Sequence, residues 1–599
     1  MAILDNVNGC ADVKKLNTAS LEVLAKEVRS QILSVTEKNG GHLSSNLGIV
    51  ETTIALYHVF DFPKDKLIFD VGHQCYTHKL LSGRKDRFDT IRSTNGLSGF
   101  PDREESEYDA VSTGHAGNSI ASALGICAAR DSLKQDYQVI AVVGDGSLVN
   151  GLNSEAINAS NVKPSNLVVI VNDNGMSISR NKNGFYKLIS KSTTKGGYLK
   201  GKRVIKKVFG NSFVTGFLRK VREAIKRLFN RNNYFERLGF KYVGVIDGND
   251  IHELLSILPR VKTLAKDKAV LLHVRTTKGK GFDKAEENAE GYHGVSRGEA
   301  SSVCGFGKRL GETLNSIMKE DNSVVAITAG MKEGTGLCLV EKENPDKFID
   351  VGIAEEYAVS LASGMAIGGL KPVVAIYSTF LQRAYDQIVH DVCAQNLPVV
   401  FCLDRAGFVG EDGKTHQGLF DISFLSHIPN LTVLTPTDEN DLEICLRHAI
   451  SLNCPVAIRY PKQSDIQLDI NVEGVKWATL VEGEETTLLA VGPRAIKVAC
   501  ETAKICAKPL RVVAVRSVIP LDSTLLDGLK GNVITIEENL LAGGFGQAVC
   551  AYYSDNKNNQ VKVYRVGVDG VFVKHGDVQT QLKSFGLDGR SLAELVQSL

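Results

Sequence analysis

Two apolar runs of five residues, each closed by a glycine- or asparagine-rich turn, constrain this chain more than any other feature. Val139–Val143 leads into Gly144-Asp145-Gly146, and Leu167–Val171 leads into Asn172-Asp173-Asn174. Roughly one helix's worth of sequence separates them, so the unit reads strand, helix, strand, with the two strands pairing in parallel. A right-handed crossover then brings both turns to the carboxyl edge of one sheet, where open α/β folds bind ligands. There Asp145 and Asn174 offer hard oxygen donors, and Gly146 lets the backbone approach a phosphate closely. Either turn taken singly is also an ordinary polar loop. Their joint occurrence after two buried strands predicts a magnesium–diphosphate site.

The same alternation of short strands and helical patterns runs through nearly all of the sequence, which predicts parallel sheets covered on both faces. At 599 residues the chain is too long for a single core. Three successive α/β domains are expected: residues 1–298, 299–465 and 474–599. Strands are expected at Leu67–Val71, Leu271–Val274, Val324–Thr328, Val373–Tyr377, Val399–Leu403, Val456–Arg459, Leu488–Val491, Val512–Val515 and Val533–Ile536. Lys187–Arg231 departs from this pattern, being rich in Lys and Arg with a single acid, Glu223. Phe213, Phe217, Val221, Ile225 and Leu228 recur there at helical spacing, so the stretch reads as a basic insert carrying an amphipathic helix.

A net charge of +2 gives no global argument for nucleic acid as a partner. No apolar run is long enough to span a bilayer, and the amino terminus lacks a charged-then-apolar signal segment. The 12 cysteines are scattered without any C-x-x-C pair, as buried thiols of a reducing compartment would be. A cytoplasmic enzyme without membrane or nucleic-acid partners is expected.

Further chemistry-bearing residues sit on glycine turns or strand ends. His42 follows Gly40-Gly41, His73 follows Gly72, and Gly114-His115-Ala116-Gly117 precedes a run of small residues at helical spacing. Such turns present backbone N–H groups to a diphosphate, although each histidine also has a plain structural reading. Glu355 stands just after a short strand, at the start of a helical pattern. It is either a helix-capping acid or a carboxyl that a heteroaromatic cofactor needs. Arg405 and Arg459 each follow an apolar strand, as phosphate or carboxylate ligands would, or as partners in a salt bridge at a domain interface.

The Gly-Asp-Gly and Asn-Asp-Asn pair resembles the signature of thiamine diphosphate enzymes. The whole chain resembles the 1-deoxy-D-xylulose-5-phosphate synthase family of the transketolase superfamily. The resemblance is carried by Asp70-Val71-Gly72-His73-Gln74, Glu105-Ser106-Glu107-Tyr108-Asp109, Ile353-Ala354-Glu355 and the run Tyr377–Gln387. It continues in Thr415-His416-Gln417-Gly418, in Ile536-Glu537-Glu538-Asn539 and in Gly543-Gly544-Phe545-Gly546. It implies a transketolase-like, thiamine diphosphate-binding fold and a homodimer. It also implies decarboxylative condensation of pyruvate with D-glyceraldehyde 3-phosphate, giving 1-deoxy-D-xylulose 5-phosphate and carbon dioxide. That product feeds isoprenoid, thiamine and pyridoxal phosphate synthesis.

Residue by residue, the resemblance implies that Asp145, Asn174 and the Met176 carbonyl ligate Mg2+. His73, Gly114, His115, Ala116, Gly146, Ser147, Asn174, Lys278 and Phe282 line thiamine diphosphate, and Glu355 activates it. His42 and His416 face the reacting carbons, with Arg383 near the donor. Tyr377, Arg405 and Arg459 hold the acceptor's phosphate, and Asp412 its hydroxyl. Some positions depart from the family pattern: Gly175 stands where an acid is usual, Glu356-Tyr357 replaces Gln-His, and Asn249 stands at a common histidine position. Two rivals remain open at this stage. One is a transketolase, which usually lacks the Asp-Arg-Ala-Gly and His-Gln-Gly contexts; the other is a thiamine-binding regulator without turnover.

Overall fold

The computed structural model describes residues 2–159, 164–175, 234–295, 305–464, 466–468, 474–557 and 560–599. Met176 and the basic stretch Lys187–Arg231 lie outside the described residues. The chain forms two compact units, Met1–Ile91 with Gly99–Ala300, and Arg92–Ser98 with Ser301–Leu599.

The first unit holds a five-stranded, all-parallel sheet. Its strands are β1 (Lys66–Phe69), β2 (Val139–Gly144), β3 (Leu167–Asp173), β4 (Lys241–Asp247) and β5 (Val270–Arg275), in the order β1-β2-β3-β5-β4. β2 and β3 are Val- and Ile-rich and buried almost throughout, because helices cover both of their faces. The helix Ser119–Ser132 lays Ile120, Ala123, Leu124 and Cys127 against Val139, Ala141 and Val143 of β2. Register decides the position of the site: Gly144 pairs with Asn172, so both turns leave the sheet side by side.

The second unit contains two sheets. One comprises β6 (Val324–Thr328), β7 (Phe348–Asp350), β8 (Lys371–Tyr377), β9 (Val400–Asp404), β10 (Thr432–Leu434) and β11 (Val456–Arg459), all parallel. The other comprises β12 (Ala478–Val481), β13 (Thr486–Val491), β14 (Arg511–Val515), β16 (Gly531–Leu540) and β17 (Val561–Val568). Only β12 runs antiparallel within it.

The intervening strand β15 (Ser517–Ile519) crosses over and pairs antiparallel with β10. A strand from the segment expected in the third domain thus joins the sheet expected in the second. Arg516 makes a buried ion pair with Asp441, Trp477 Nε1 donates to Ser517 O at 2.8 Å, and one apolar core runs from Val433 and Ala457 to Leu489, Val513 and Phe545. Among the described residues, no helix is long and apolar enough to cross a membrane.

Candidate active site

In the first unit the two turns stand where the crossover puts them. Asp145 begins a short helix directly after β2 and is 5% exposed. Its Oδ2 has no hydrogen-bond partner among the described residues. Burial, and then the Asp173 carboxylate, push the Asp145 carboxyl up to about 8. Nearby Lys278 is buried as well, which brings its ammonium down to about 8 against the charges of Asp145 and Glu290. A divalent cation fits this environment, because it would give the stranded oxygen a partner and favour the carboxylate. No group of three or more His, Cys, Asp or Glu among the described residues could hold a metal alone. A cation at Asp145 therefore takes its other ligands from amide, carbonyl or phosphate oxygens, the donor class of Asn174.

Three histidines gather in the same unit. The His42, His73 and His293 rings lie 5.5, 5.6 and 5.2 Å apart pairwise, and Phe100 meets His42 edge-on at 5.4 Å. Asn46 binds the two loops together. Its Nδ2 donates to the carbonyls of His42 (2.5 Å) and His73 (2.7 Å), while its Oδ1 accepts from Tyr76 N (2.9 Å). His293 is held well below the ordinary imidazole value by burial and by the charges of Lys278, His73 and His42, so it is neutral.

The turn before His73 is strained, with Val71 at φ 61°, a conformation disfavoured for a β-branched residue. Gly72 follows at φ 89°, where a Cβ would fall 2.2 Å from Thr113 Oγ1. Asp70 organises the surrounding loops: it accepts from Gly117 N, Ser119 N, Ser119 Oγ and Asn153 Nδ2 at 2.6–3.2 Å. Asn153 also donates to Ser147 O at 2.8 Å. Gly117, next to the Gly114-His115-Ala116 stretch, and, through Asn153, Ser147 are thereby tied to one carboxylate. Phe282 lies farther along the chain, its ring edge-on to Tyr292 at 5.7 Å.

In the second unit Glu355 is the first residue of the helix Glu355–Ile367 and is 3% exposed. Its Oε2 accepts no hydrogen bond from a described residue and lies 4.0 Å from Arg383 Nε. Burial raises the carboxyl to about 7 in spite of that cation. Tyr377 ends β8, and the Arg405 guanidinium lies 4.2 Å over its ring. Phe380 stacks on Tyr377 at 5.8 Å and meets the His416 ring edge-on at 5.5 Å. Arg405 adopts φ 60°, a strained conformation at the end of β9. His416 receives a hydrogen-bond contact from Thr415 at Nδ1 (2.8 Å), and burial lowers its basicity against the charge of Asp412.

Two of the expected acceptor ligands also have protein partners. Arg459, expected to hold phosphate, spends Nε on both oxygens of Asp421 (3.1 Å) and Nη2 on Glu538 O (3.2 Å). The Asp421 partner lies 38 residues away and is 0% exposed, so the guanidinium sits in a buried ion pair. Asp412, expected to meet a substrate hydroxyl, is hydrogen-bonded to Arg92, which also reaches Glu411 at 3.2 Å. Asn46, Asp70, Arg92, His293 and Asp421 were not singled out individually from the sequence. His293-Gly294 repeats the glycine-next-to-histidine pattern of the other two, and that signal was available.

Comparison with known proteins gives the family of the chain. Residues 4–276 match the family described as 1-deoxy-D-xylulose-5-phosphate synthase, 305–465 the transketolase pyrimidine binding domain, and 475–592 the transketolase C-terminal domain. A protein of Clostridium tetani named 1-deoxy-D-xylulose-5-phosphate synthase is 42% identical, over 100% of this chain and 99% of its own length. One so named from Carboxydothermus hydrogenoformans is 45% identical over 98% of each chain. Another, from Caldanaerobacter subterraneus subsp. tengcongensis, is 43% identical over 99% of this chain and 98% of the relative. The chain belongs to the 1-deoxy-D-xylulose-5-phosphate synthase family.

Proposed function

We propose that this enzyme is a thiamine diphosphate-dependent transferase. It condenses pyruvate with D-glyceraldehyde 3-phosphate to give 1-deoxy-D-xylulose 5-phosphate and carbon dioxide, at the entry to isoprenoid precursor synthesis. The observation that carries the reading is identity of 41–45% with synthases of that name along essentially the whole chain. It favours this reaction over a transketolase or a regulator without turnover. Thiamine diphosphate, when bound, supplies the nucleophilic carbon and the electron sink for decarboxylating a 2-oxo acid.

In this reading Asp145, Asn174 and the Met176 carbonyl hold Mg2+, and Gly114, His115, Ala116, Gly146, Ser147, Lys278 and Phe282 surround the cofactor. Glu355 holds a proton at Oε2 near neutral pH, because burial has raised it to about 7. It can share that proton with a ring nitrogen without the cost of stranding a full charge. Arg383, beside it, attracts the donor's carboxylate. Arg405 and Tyr377 grip the acceptor's phosphate, and Asp412 orients its hydroxyl. His73 lines the cofactor, and His42 and His416 move protons at the reacting hydroxyls, a task suited to imidazoles.

Eleven described cysteines are all free thiols, which supports a reducing, cytoplasmic setting. Exposed Tyr357 (57%) and Ile367 (65%), on the helix that begins at Glu355, support a homodimer. The test is a purified-enzyme assay with pyruvate, D-glyceraldehyde 3-phosphate, thiamine diphosphate and Mg2+. Acceptor-dependent carbon dioxide release with formation of the five-carbon product is expected. Ketol transfer between sugar phosphates without carbon dioxide would make it a transketolase, and no turnover would make it a regulator.

A further inference from the structure

The third sheet carries a motif that the reaction does not use. Glu537, Glu538 and Asn539 end β16 and are 0%, 6% and 0% exposed, although none of them belongs to the proposed reacting set. Two consecutive buried carboxylates are expensive, since each must be taken out of water. Glu537 has a local explanation. It accepts the Phe545 and Gly546 N–H groups at 2.7 and 2.8 Å and so caps the helix Phe545–Asp555.

Glu538 points elsewhere. Its Oε2 accepts from Arg494 Nη1 at 2.6 Å and from Phe408 N at 3.0 Å. Arg494 Nη1 donates in turn to Phe408 O at 3.1 Å. One ion pair therefore holds both polar groups of a single residue, Phe408, by the backbone. Phe408 lies three residues after Arg405 in the loop leaving β9. Between them, Gly407 has φ 82°, and a Cβ there would fall 2.5 Å from Glu538 Oε2.

The neighbouring residues of β16 extend the attachment. Glu538 O accepts from Arg459, Asn539 Nδ2 donates to Ser423 Oγ at 2.9 Å, and Leu540 N donates to Leu419 O at 2.9 Å. The two loops thus gripped are joined to each other. Gly407 and Gly418 exchange backbone hydrogen bonds of 2.7 and 2.8 Å, and Val409 N donates to Gln417 Oε1 at 2.8 Å. Arg405 lies on one of these loops and His416 on the other.

We propose that Glu538 and Arg494 are positioning residues for the acceptor's phosphate, so that the third sheet sets the affinity for the phosphorylated aldehyde through the Phe408 backbone. This rests on the reading that Arg405 contacts that phosphate. Arg405 is held in a strained backbone conformation, and such a conformation persists only where its surroundings over-determine it. The Glu538–Arg494 clamp on one side and the Gly418 bridge on the other supply that constraint. An apolar pair of similar volume would avoid desolvating two charges, but it would leave the Phe408 N–H and C=O without these partners.

The experiment uses the full chain loaded with thiamine diphosphate and Mg2+. Apparent KM values for D-glyceraldehyde 3-phosphate and for pyruvate are measured for wild type, E538Q, R494M, R405A and the double variant R405A/E538Q. E538Q and R494M should each raise KM for the phosphorylated aldehyde about five- to tenfold, part of the loss expected for a charge-assisted contact. KM for pyruvate should stay within about twofold. KM does not depend on the fraction of enzyme folded, so partial misfolding of one variant lowers kcat without imitating the result. In the double variant, E538Q should add little to R405A, because both act on one contact. If R405A shifts the aldehyde KM selectively but E538Q and R494M do not, the positioning role is wrong and the phosphate reading stands. If R405A is not selective, the phosphate reading itself fails. Full additivity of E538Q with R405A would likewise overturn action through Arg405.

Discussion

Glu355 Oε2 lies 4.0 Å from Arg383 Nε, yet burial outweighs that cation and raises the carboxyl from 4.5 to about 7. The folded state therefore binds a proton at Glu355 more tightly than the unfolded chain does. Below pH 4.5 both states are protonated and the group has no effect on stability. Between 4.5 and 7 the unfolded chain ionises first, so stability falls as pH rises, by on the order of 3 kcal/mol in total. Glu355→Gln removes this loss. The cofactor-free variant should gain thermal stability over wild type progressively from pH 5 to 8, while losing exchange of the cofactor's thiazolium proton by orders of magnitude when loaded. Melting curves across that range and deuterium exchange at that carbon check the two halves. A variant equally stable at every pH would mean that Glu355 is ionised in the folded enzyme.

Asp145→Ala tests the cation. The buried Oδ2 is the stranded acceptor at the β2 edge, and it would hold Mg2+, which would supply positive charge to a bound diphosphate. Even an outer-shell partner can cost ~100-fold in metal affinity when lost. Magnesium-dependent cofactor binding should fall by at least that much, with the fold retained. Calorimetric titration with thiamine diphosphate, with and without Mg2+, measures it, and unchanged affinity would move the metal elsewhere.

The two arginines expected to hold phosphate now separate. Arg405 stacks on Tyr377, and Arg405→Ala should raise KM for D-glyceraldehyde 3-phosphate roughly ten- to a hundredfold, the equivalent of about 1.5–3 kcal/mol. Arg459→Ala instead leaves Asp421 buried without its cation, which costs about 3–5 kcal/mol of stability. A lowered melting temperature for Arg459→Ala, without one for Arg405→Ala, is the expected pattern. Equal melting temperatures would return Arg459 to a purely ligand-binding role.

This division shows what could be read in advance. Asp145 and Glu355 were legible because each stands at a local transition: an apolar run, a turn, then a helical pattern. The strands Val324–Thr328 and Val456–Arg459 coincide with the expected ones for the same reason. Partners set by topology were not legible. Asp421 lies 38 residues from Arg459, and His293 is 251 residues from His42. β10 and β15 are three residues each, too short to carry a period, and their antiparallel pairing joins segments expected in different domains. Arg92 lies within the sequence of the first unit but packs with the second, and nothing in its local composition signals that.

Gly334 supplies the most local test of the acceptor side. It lies in the loop after β6, and a Cβ there would fall 1.7 Å from Tyr377 Oη, 2.7 Å from Tyr377 Cζ and 3.1 Å from Arg405 Nη2. Carbon and oxygen need about 3.5 Å, so Gly334→Ala must push the Tyr377 ring away, and overpacking of this kind costs about 1–3 kcal/mol. Arg405 lies over that ring and has to follow it. The variant should therefore raise KM for the phosphorylated aldehyde severalfold while leaving thiamine diphosphate affinity unchanged. Tyr377→Phe deletes the nearer of the two clashing atoms, so Gly334→Ala should cost less in that background than in wild type. Steady-state kinetics of the two single variants and the double variant measure the coupling directly. Strict additivity would show that the backbone of the β6 loop, and not the Tyr377 ring, absorbs the added methyl group.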